Sequence, residues 1–377
     1  MIHSALDLAP WRHAIDPLAD DAIAAFTERP KKGQDVLDAV RDGAKKGIAA
    51  HQRFLDETHT IPPWAHLHDM KAGREMAMRR APLTFLVLLA GSLIESFAAA
   101  RGAVVLVRTG RLEHDTLARI YETASMVRDM FLPGALAPGR RGHRAILRVR
   151  LLHAFVRRHV RKGFDVDALG EPVNQADMLH TLLLFSHVLV RGIETLGARI
   201  DADERESFRR LWRYAGFMLG VDERILPRSL DEELRVYEAI REAEYTPDVH
   251  SRRLAHAVLR ALVFEPPFFL TERALHEVSR RVVGDALADE LHLKRSTPTT
   301  RVLDVATRGV TRVERAFALP LARPLSVLVG HAFVESNRVR VLATRTPADY
   351  VMRVVPGARR RVAHGVSTPR ASETREK

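Results

Sequence analysis

Between Gln175 and Leu196 the chain reads QADMLHTLLLFSHVLVRGIETL. On a helix, at about 100° per residue, Met178, Leu179, Leu182, Leu183, Phe185, Val188 and Leu189 cover most of the circumference. Such a helix is stable in water only when other elements enclose it, so this stretch demands a shell of partners. Their sequences are also helical. Apolar residues recur at intervals of three and four in VHSRRLAHAVLRALVF, TERALHEVSRRVVGDALADEL and TRVLDVATRGVTRVERAF, and no sustained alternating run occurs. An all-α fold follows, with helices expected at about Lys71 to Arg101, Leu112 to Phe131, His143 to Arg161, Gln175 to Leu196, Asp203 to Leu219 and Leu230 to Ala243. Further helices are expected from Leu18 to Arg29 and, broken near Gly43 or Gly47, between Asp35 and Leu55. Asp201 to Glu204 and Ser229 with Glu232 read as helix starts, the second with capping-box spacing.

A chain of 377 residues that is 46% hydrophobic can bury a large core. No cysteine is present, which removes disulfides, thiolate metal sites, iron–sulfur clusters and cysteine nucleophiles, and leaves histidine and carboxylate as metal ligands. The patterns G-x-S-x-G, G-x-x-x-x-G-K-[ST] and G-x-G-x-x-G are absent, so serine-hydrolase, P-loop and Rossmann readings fail. The opening MIHSALDLAPWRHAIDPLADD lacks a basic head followed by an apolar run, and a cytoplasmic location is expected. The apolar segment from Ala81 to Ala100 is interrupted by Glu95 and shortened by Pro82, which suits a core helix better than a membrane span. Net charge is +12, and from Arg340 onward nine Lys/Arg stand against three Asp/Glu, half of the total. Basic runs at Arg157-Arg158, Arg161-Lys162 and Arg359 to Arg361 raise a nucleic-acid reading, but no recognition motif or interleaved aromatic supports specific binding. The tail could touch anionic lipid only weakly, since a stable peripheral attachment needs a second anchor. After Pro356 the polar, Arg-rich sequence is expected to be disordered.

Two histidines sit in unusual settings. Arg150, His153 and Arg157 share a narrow stripe beside the apolar face formed by Leu147, Leu151, Leu152, Ala154 and Phe155. His180 lies among the leucines of the enclosed helix, where a neutral imidazole must find a hydrogen-bond partner, such as a carbonyl, or a metal. His66-x-His68 with Asp69 has the spacing of a metal site in an extended strand, yet beside Pro62 and Pro63 it reads as a solvated turn.

The strings R-x-x-H-A-x-V-R at Arg150 to Arg157, NQADMLHTLLLFS at Asn174 to Ser186 and WRYAGFMLGVDERILP at Trp212 to Pro227 resemble the catalytic-domain family of rubber oxygenases and mycophenolic acid ER-bound oxygenases. LLAGSLIES, VRTGRL, ETASMV and VVGDALADELHL extend the match in the same order from about Pro63 to Leu293. The resemblance implies a globin-like helical core with additional N- and C-terminal helices, holding haem b for reaction of O2 with an apolar small molecule. It implies a domain at 63–295, an N-terminal arm at 1–62, packing helices at 296–355 and a tail at 356–377. By position it makes His180 the proximal iron ligand, with Arg150, Thr181 and His187 also beside the cofactor. Arg150, His153 and Glu122 become the catalytic group.

His153 stands where latex clearing proteins have a lysine, so it would either ligate iron or donate a hydrogen bond to bound oxygen. Glu122 would be a base paired with Arg150, or else a surface glutamate near a helix start. His187, seven residues from His180 on the same side of a straight helix, is the reserve ligand. A helical scaffold of the same family without cofactor, or a basic nucleic-acid-binding protein, are the competing readings.

Overall fold

The protein is described by a computed structural model over residues 7–26, 34–109, 116–317 and 322–344. The expected disordered tail lies outside these residues. Among them no strand forms, and the chain is all-α. The N-terminal part carries α1 (Ala9–Arg12), α2 (Pro17–Ala24), α3 (Val36–Lys45) and α4 (Ala49–His59). A 3-10 turn, Leu67–Met70, leads into α5 (Lys71–Arg79), then α6 (Ala81–Val87), a π-helical turn (Leu88–Ser92), α7 (Leu93–Ser96) and α8 (Ala100–Thr109). The middle holds α9 (Thr116–Met130), α10 (Arg141–Val160), α11 (Val166–Leu169), α12 (Gln175–Phe185), α13 (His187–Thr195), α14 (Ala202–Met218) and α15 (Leu230–Glu244). Last come α16 (Val249–Ala261), α17 (Glu272–Val283), α18 (Asp285–Glu290), α19 (Thr297–Phe317) and α20 (Ala322–Thr344).

Helix starts follow the capping residues. Asn174, Asp201, Ser229 and Thr271 each accept a hydrogen bond from the backbone N–H three residues on. At Ser229 the reciprocal half of the expected box does not form, because Glu232 accepts from the backbone of Arg228 instead. The break between α3 and α4 falls at Gly47, whose φ of +84° is open to glycine at no steric cost.

Two expected helices are broken. The run from Lys71 to Arg101 bends by 87° between α5 and α6, where Pro82 sits in the first turn of the new helix and cannot donate back across the bend. The run from Gln175 to Leu196 is interrupted at Ser186, whose ψ of −80° departs from helical geometry. Taken together, 175–195 is long and apolar enough to cross a membrane, but 72% of that stretch is buried inside the protein.

α12 is enclosed as its composition requires: α1, α7, α13, α14, α15 and the π turn all pack on it. In the π turn, Ser92 Oγ donates to the carbonyl of Leu184 at 2.8 Å, fixing that turn against α12. α5 crosses α14 at very short range, since a Cβ on Gly73 would lie 2.2 Å from the backbone N of Phe208. The Gly73 N–H donates to Ser207 Oγ at 2.8 Å across the crossing. A smaller apolar cluster joins α2, α3 and α4 to Leu147, Leu151 and Ala154 of α10.

Candidate functional site

α12 places His180 in the core, 6% exposed. Its Nε2 lies 3.2 Å from Tyr245 Oη, just beyond the end of α15. Tyr245 Oη in turn donates to Glu95 Oε1 at 3.0 Å. Glu95, on α7, is 1% exposed, and a buried carboxylate needs partners. It also accepts from Tyr237 Oη on Oε1 at 2.5 Å and from Arg191 Nη2 on Oε2 at 2.6 Å. Arg191 Nη1 closes the ring by donating to Tyr237 Oη at 2.6 Å.

The chain of donors fixes protons. Tyr245 commits its proton to Glu95, and burial beside that acid raises its pKa above the usual phenol value. Its oxygen is left to accept from His180 Nε2–H, so the lone pair of the imidazole resides on Nδ1. Burial pushes His180 down to about 4, which keeps it neutral at physiological pH. Tyr245 also lines a surface cleft of 330 Å³ with Glu238, Arg241, Glu242, Ala286, Leu287 and Glu290.

The other expected residues fall in two places. His187 opens α13 at the far end of the same network, its ring 4.7 Å from that of Tyr237. Burial, then Arg191 and Arg205, push it down to about 4. The break at Ser186 removes the straight helix on which its relation to His180 was reckoned. Thr181 is exposed, and its hydroxyl donates back to the carbonyl of Asp177 at 2.9 Å.

On α10, His153 has a buried Nδ1 with no hydrogen-bond partner. Burial, then Arg157 and Arg119, push it down to about 4. The contrast with His143 on the same helix is instructive. There Nδ1 accepts from the N–H of Gly139 at 3.2 Å and Nε2 donates to the carbonyl of Thr58 at 2.8 Å. A structural core histidine is satisfied at both nitrogens; His153 is not.

Arg119 acts on His153 and donates to Glu122 Oε2 at 2.9 Å, which brings Glu122 into the same neighbourhood. The expected partnership of Glu122 with Arg150 is replaced. Arg150 spends Nε and Nη2 on Asp16 at 2.6 and 2.8 Å, and Arg157 pairs with Asp20. The basic stripe of α10 is thus the docking strip for α2, with acids spaced to meet both arginines. Gly220, at φ +87°, admits this pair, for a Cβ there would lie 2.2 Å from Asp16 Oδ2. Arg161 is likewise held, by both oxygens of Glu171.

His66 and His68 lie 5.9 Å apart at the 3-10 turn, not on a strand, and Asp69 is held by Arg210. Among the described residues no group of three or more His, Asp or Glu is placed to cage a metal ion. A prosthetic group carried on one imidazole asks for less. The neutral His180 with one nitrogen clamped, and the orphaned His153 nitrogen, fit that requirement.

Glu95, Tyr237, Tyr245 and Arg191 were not singled out by sequence reasoning. The available signal was an acid inside the most apolar run of the chain.

Residues 76–316 match the family described as ER-bound oxygenase mpaB/B′/rubber oxygenase, catalytic domain. The chain is also similar in structure to latex clearing protein LCP in the closed state, with a TM-score of 0.66 and 19% identity over 88% of this chain and 91% of that one. At that identity the likeness speaks for the fold. No curated protein matches the chain.

Proposed function

Because this chain belongs to the family of mpaB-type and rubber oxygenase catalytic domains, we propose that it is a haem b-dependent oxygenase acting with O2 on an apolar organic substrate. The observation that carries the reading is the state of His180: buried, neutral, and held through Tyr245 to Glu95 so that one nitrogen keeps its lone pair. In this reading bound haem supplies the activation of oxygen and His180 takes the iron.

The protein's own groups do the rest. Glu95, clamped by Tyr237 and Arg191, keeps a negative charge behind Tyr245 and the imidazole, which raises the basicity of His180 as a ligand. His153 presents an unpaired nitrogen, neutral at working pH, that can take a hydrogen bond or a metal. Arg119 holds Glu122 ionically beside it, where that carboxylate is available to accept a proton. The apolar walls of the core exclude water and favour an apolar substrate. Arg150 serves here as the anchor of α2 through Asp16.

Purified protein, reconstituted with haemin, is expected to show a Soret band that His180→Ala loses while retaining wild-type helicity. Protein that takes up no haem, or a His180→Ala variant with an unchanged spectrum, refutes the assignment.

A further inference from the structure

Among the described residues, large apolar side chains with more than half of their surface exposed are concentrated near the C-terminal end of the fold. They include Val302, Val305 and Val313 on α19 and Leu325, Leu328 and Val329 on α20. Both helices are anchored by their opposite faces. Leu303 and Val310 of α19, with Val327 and Phe333 of α20, pack on the main core, and Thr311 donates to the carbonyl of Gly197. The outward stripes are therefore not the result of undocked helices, and exposed apolar surface of this extent marks a contact site.

Charge says what kind of contact. On α19, Arg301, Arg308 and Arg312 fall within about 40° of one another and run beside the valine stripe. All three are exposed, and none is ion-paired among the described residues. The two acids of that helix are spent elsewhere, Asp304 on Arg281 and Glu314 on Arg80. From Thr297 to the last residue the sequence holds fifteen Lys/Arg against six Asp/Glu. A second copy placed on this face about a two-fold axis would set like charges together.

A neighbouring loop adds aromatic surface. Phe264 and Phe269 are exposed, at φ of 54° and 49°, a left-handed conformation that residues of such bulk adopt only against a cost. The loop is tied to α20 by Phe268 against Phe333, ring centroids 6.5 Å apart, and to α9 by Tyr121 Oη donating to Glu265 at 3.3 Å.

We infer that α19, α20 and the loop from Phe264 to Phe269 form a docking surface for an anionic lipid membrane. Valines, leucines and the two phenylalanines enter the interface, and the arginine stripe lies against lipid headgroups. The apolar stripes supply the second anchor that the basic tail lacks by itself. This inference stands without the haem assignment.

The test is co-sedimentation of the full chain with vesicles of phosphatidylcholine alone and of phosphatidylcholine with phosphatidylserine. Binding is expected only to the second, and to weaken with added salt. Neutralising Arg308 and Arg312 together should lower partitioning about 25-fold, at roughly fivefold per arginine. Val302→Glu with Val305→Glu, and Phe264→Ser with Phe269→Ser, should each abolish binding while the thermal unfolding curve stays that of the parent. Equal binding to neutral vesicles, no binding, or binding that the apolar substitutions leave intact overturns the proposal. So does a dimer in analytical ultracentrifugation that the same substitutions dissolve, which would give this face to a second copy instead.

Discussion

The cluster around Glu95 offers a sharp test of how the core is held. Glu95 receives three hydrogen bonds and is 1% exposed, whereas the Arg191 side chain retains 31% of its surface. Glu95→Gln keeps the shape but sets an amide N–H2 where the carboxylate met the guanidinium or the phenols, leaving a donor facing a donor. Breaking a buried pair costs about 3–5 kcal/mol. Arg191 can regain water, so the expected loss is nearer 2–3 kcal/mol after that discount. Arg191→Met strands a buried carboxylate with two phenol donors and should cost about 3–5 kcal/mol. The double variant leaves no ion unpaired. It should be less destabilised than the sum of the single variants by about 2 kcal/mol. Urea unfolding of the four proteins, followed by circular dichroism, measures each term. Additivity within about 0.5 kcal/mol would show that the two groups are independent and that the network does not hold His180 as described.

Two further outcomes follow from burial and close packing. His153, His180, His187 and His276, each pushed down to about 4 by burial, take up protons on unfolding below the unfolded value near 6.5. Asp177 and Glu233, pushed up to about 7 by burial, release them. Four against two leaves a net uptake of about two protons near pH 5. Stability should therefore fall as pH drops from 6.5 towards 4, and a stability that rises on acidification over that window refutes the assignment of neutral buried imidazoles. Gly73→Ala must push α5 from α14, because its Cβ would meet backbone rather than a movable side chain. A loss of about 2–3 kcal/mol in chemical unfolding is expected, and a neutral effect would contradict the close crossing.

The helices were legible because their apolar spacing is local information, and α14 and α15 begin at the aspartate and serine that the pattern marked. The bend at Arg80 was partly legible, since Pro82 was already seen to shorten the apolar run; how sharply the helix turns there depends on what it packs against. Ser186 gave no sign, for serine is tolerated within helices and only the packing around α12 makes it a break. The site divides in the same way. His180 could be picked out as an imidazole among leucines, but its partner Tyr245 is 65 residues on and Glu95 lies 85 residues before it. Arg150 drew attention for the stripe it shares with His153, while the residue that claims it, Asp16, is 134 positions earlier. Long-range pairing of this kind leaves no periodic trace.

The π-helical turn at Leu88–Ser92 sets the rotational phase of everything after it. A π turn accommodates one residue more than an α turn of the same rise, so deleting a single residue there would swing Glu95 by about 100° around the helix axis. The carboxylate behind Tyr245 would then face away from His180 with every amino acid in this part of the core still present. A relative that aligns here only across a one-residue gap has lost that orientation, and needs another means of holding its imidazole neutral and in place.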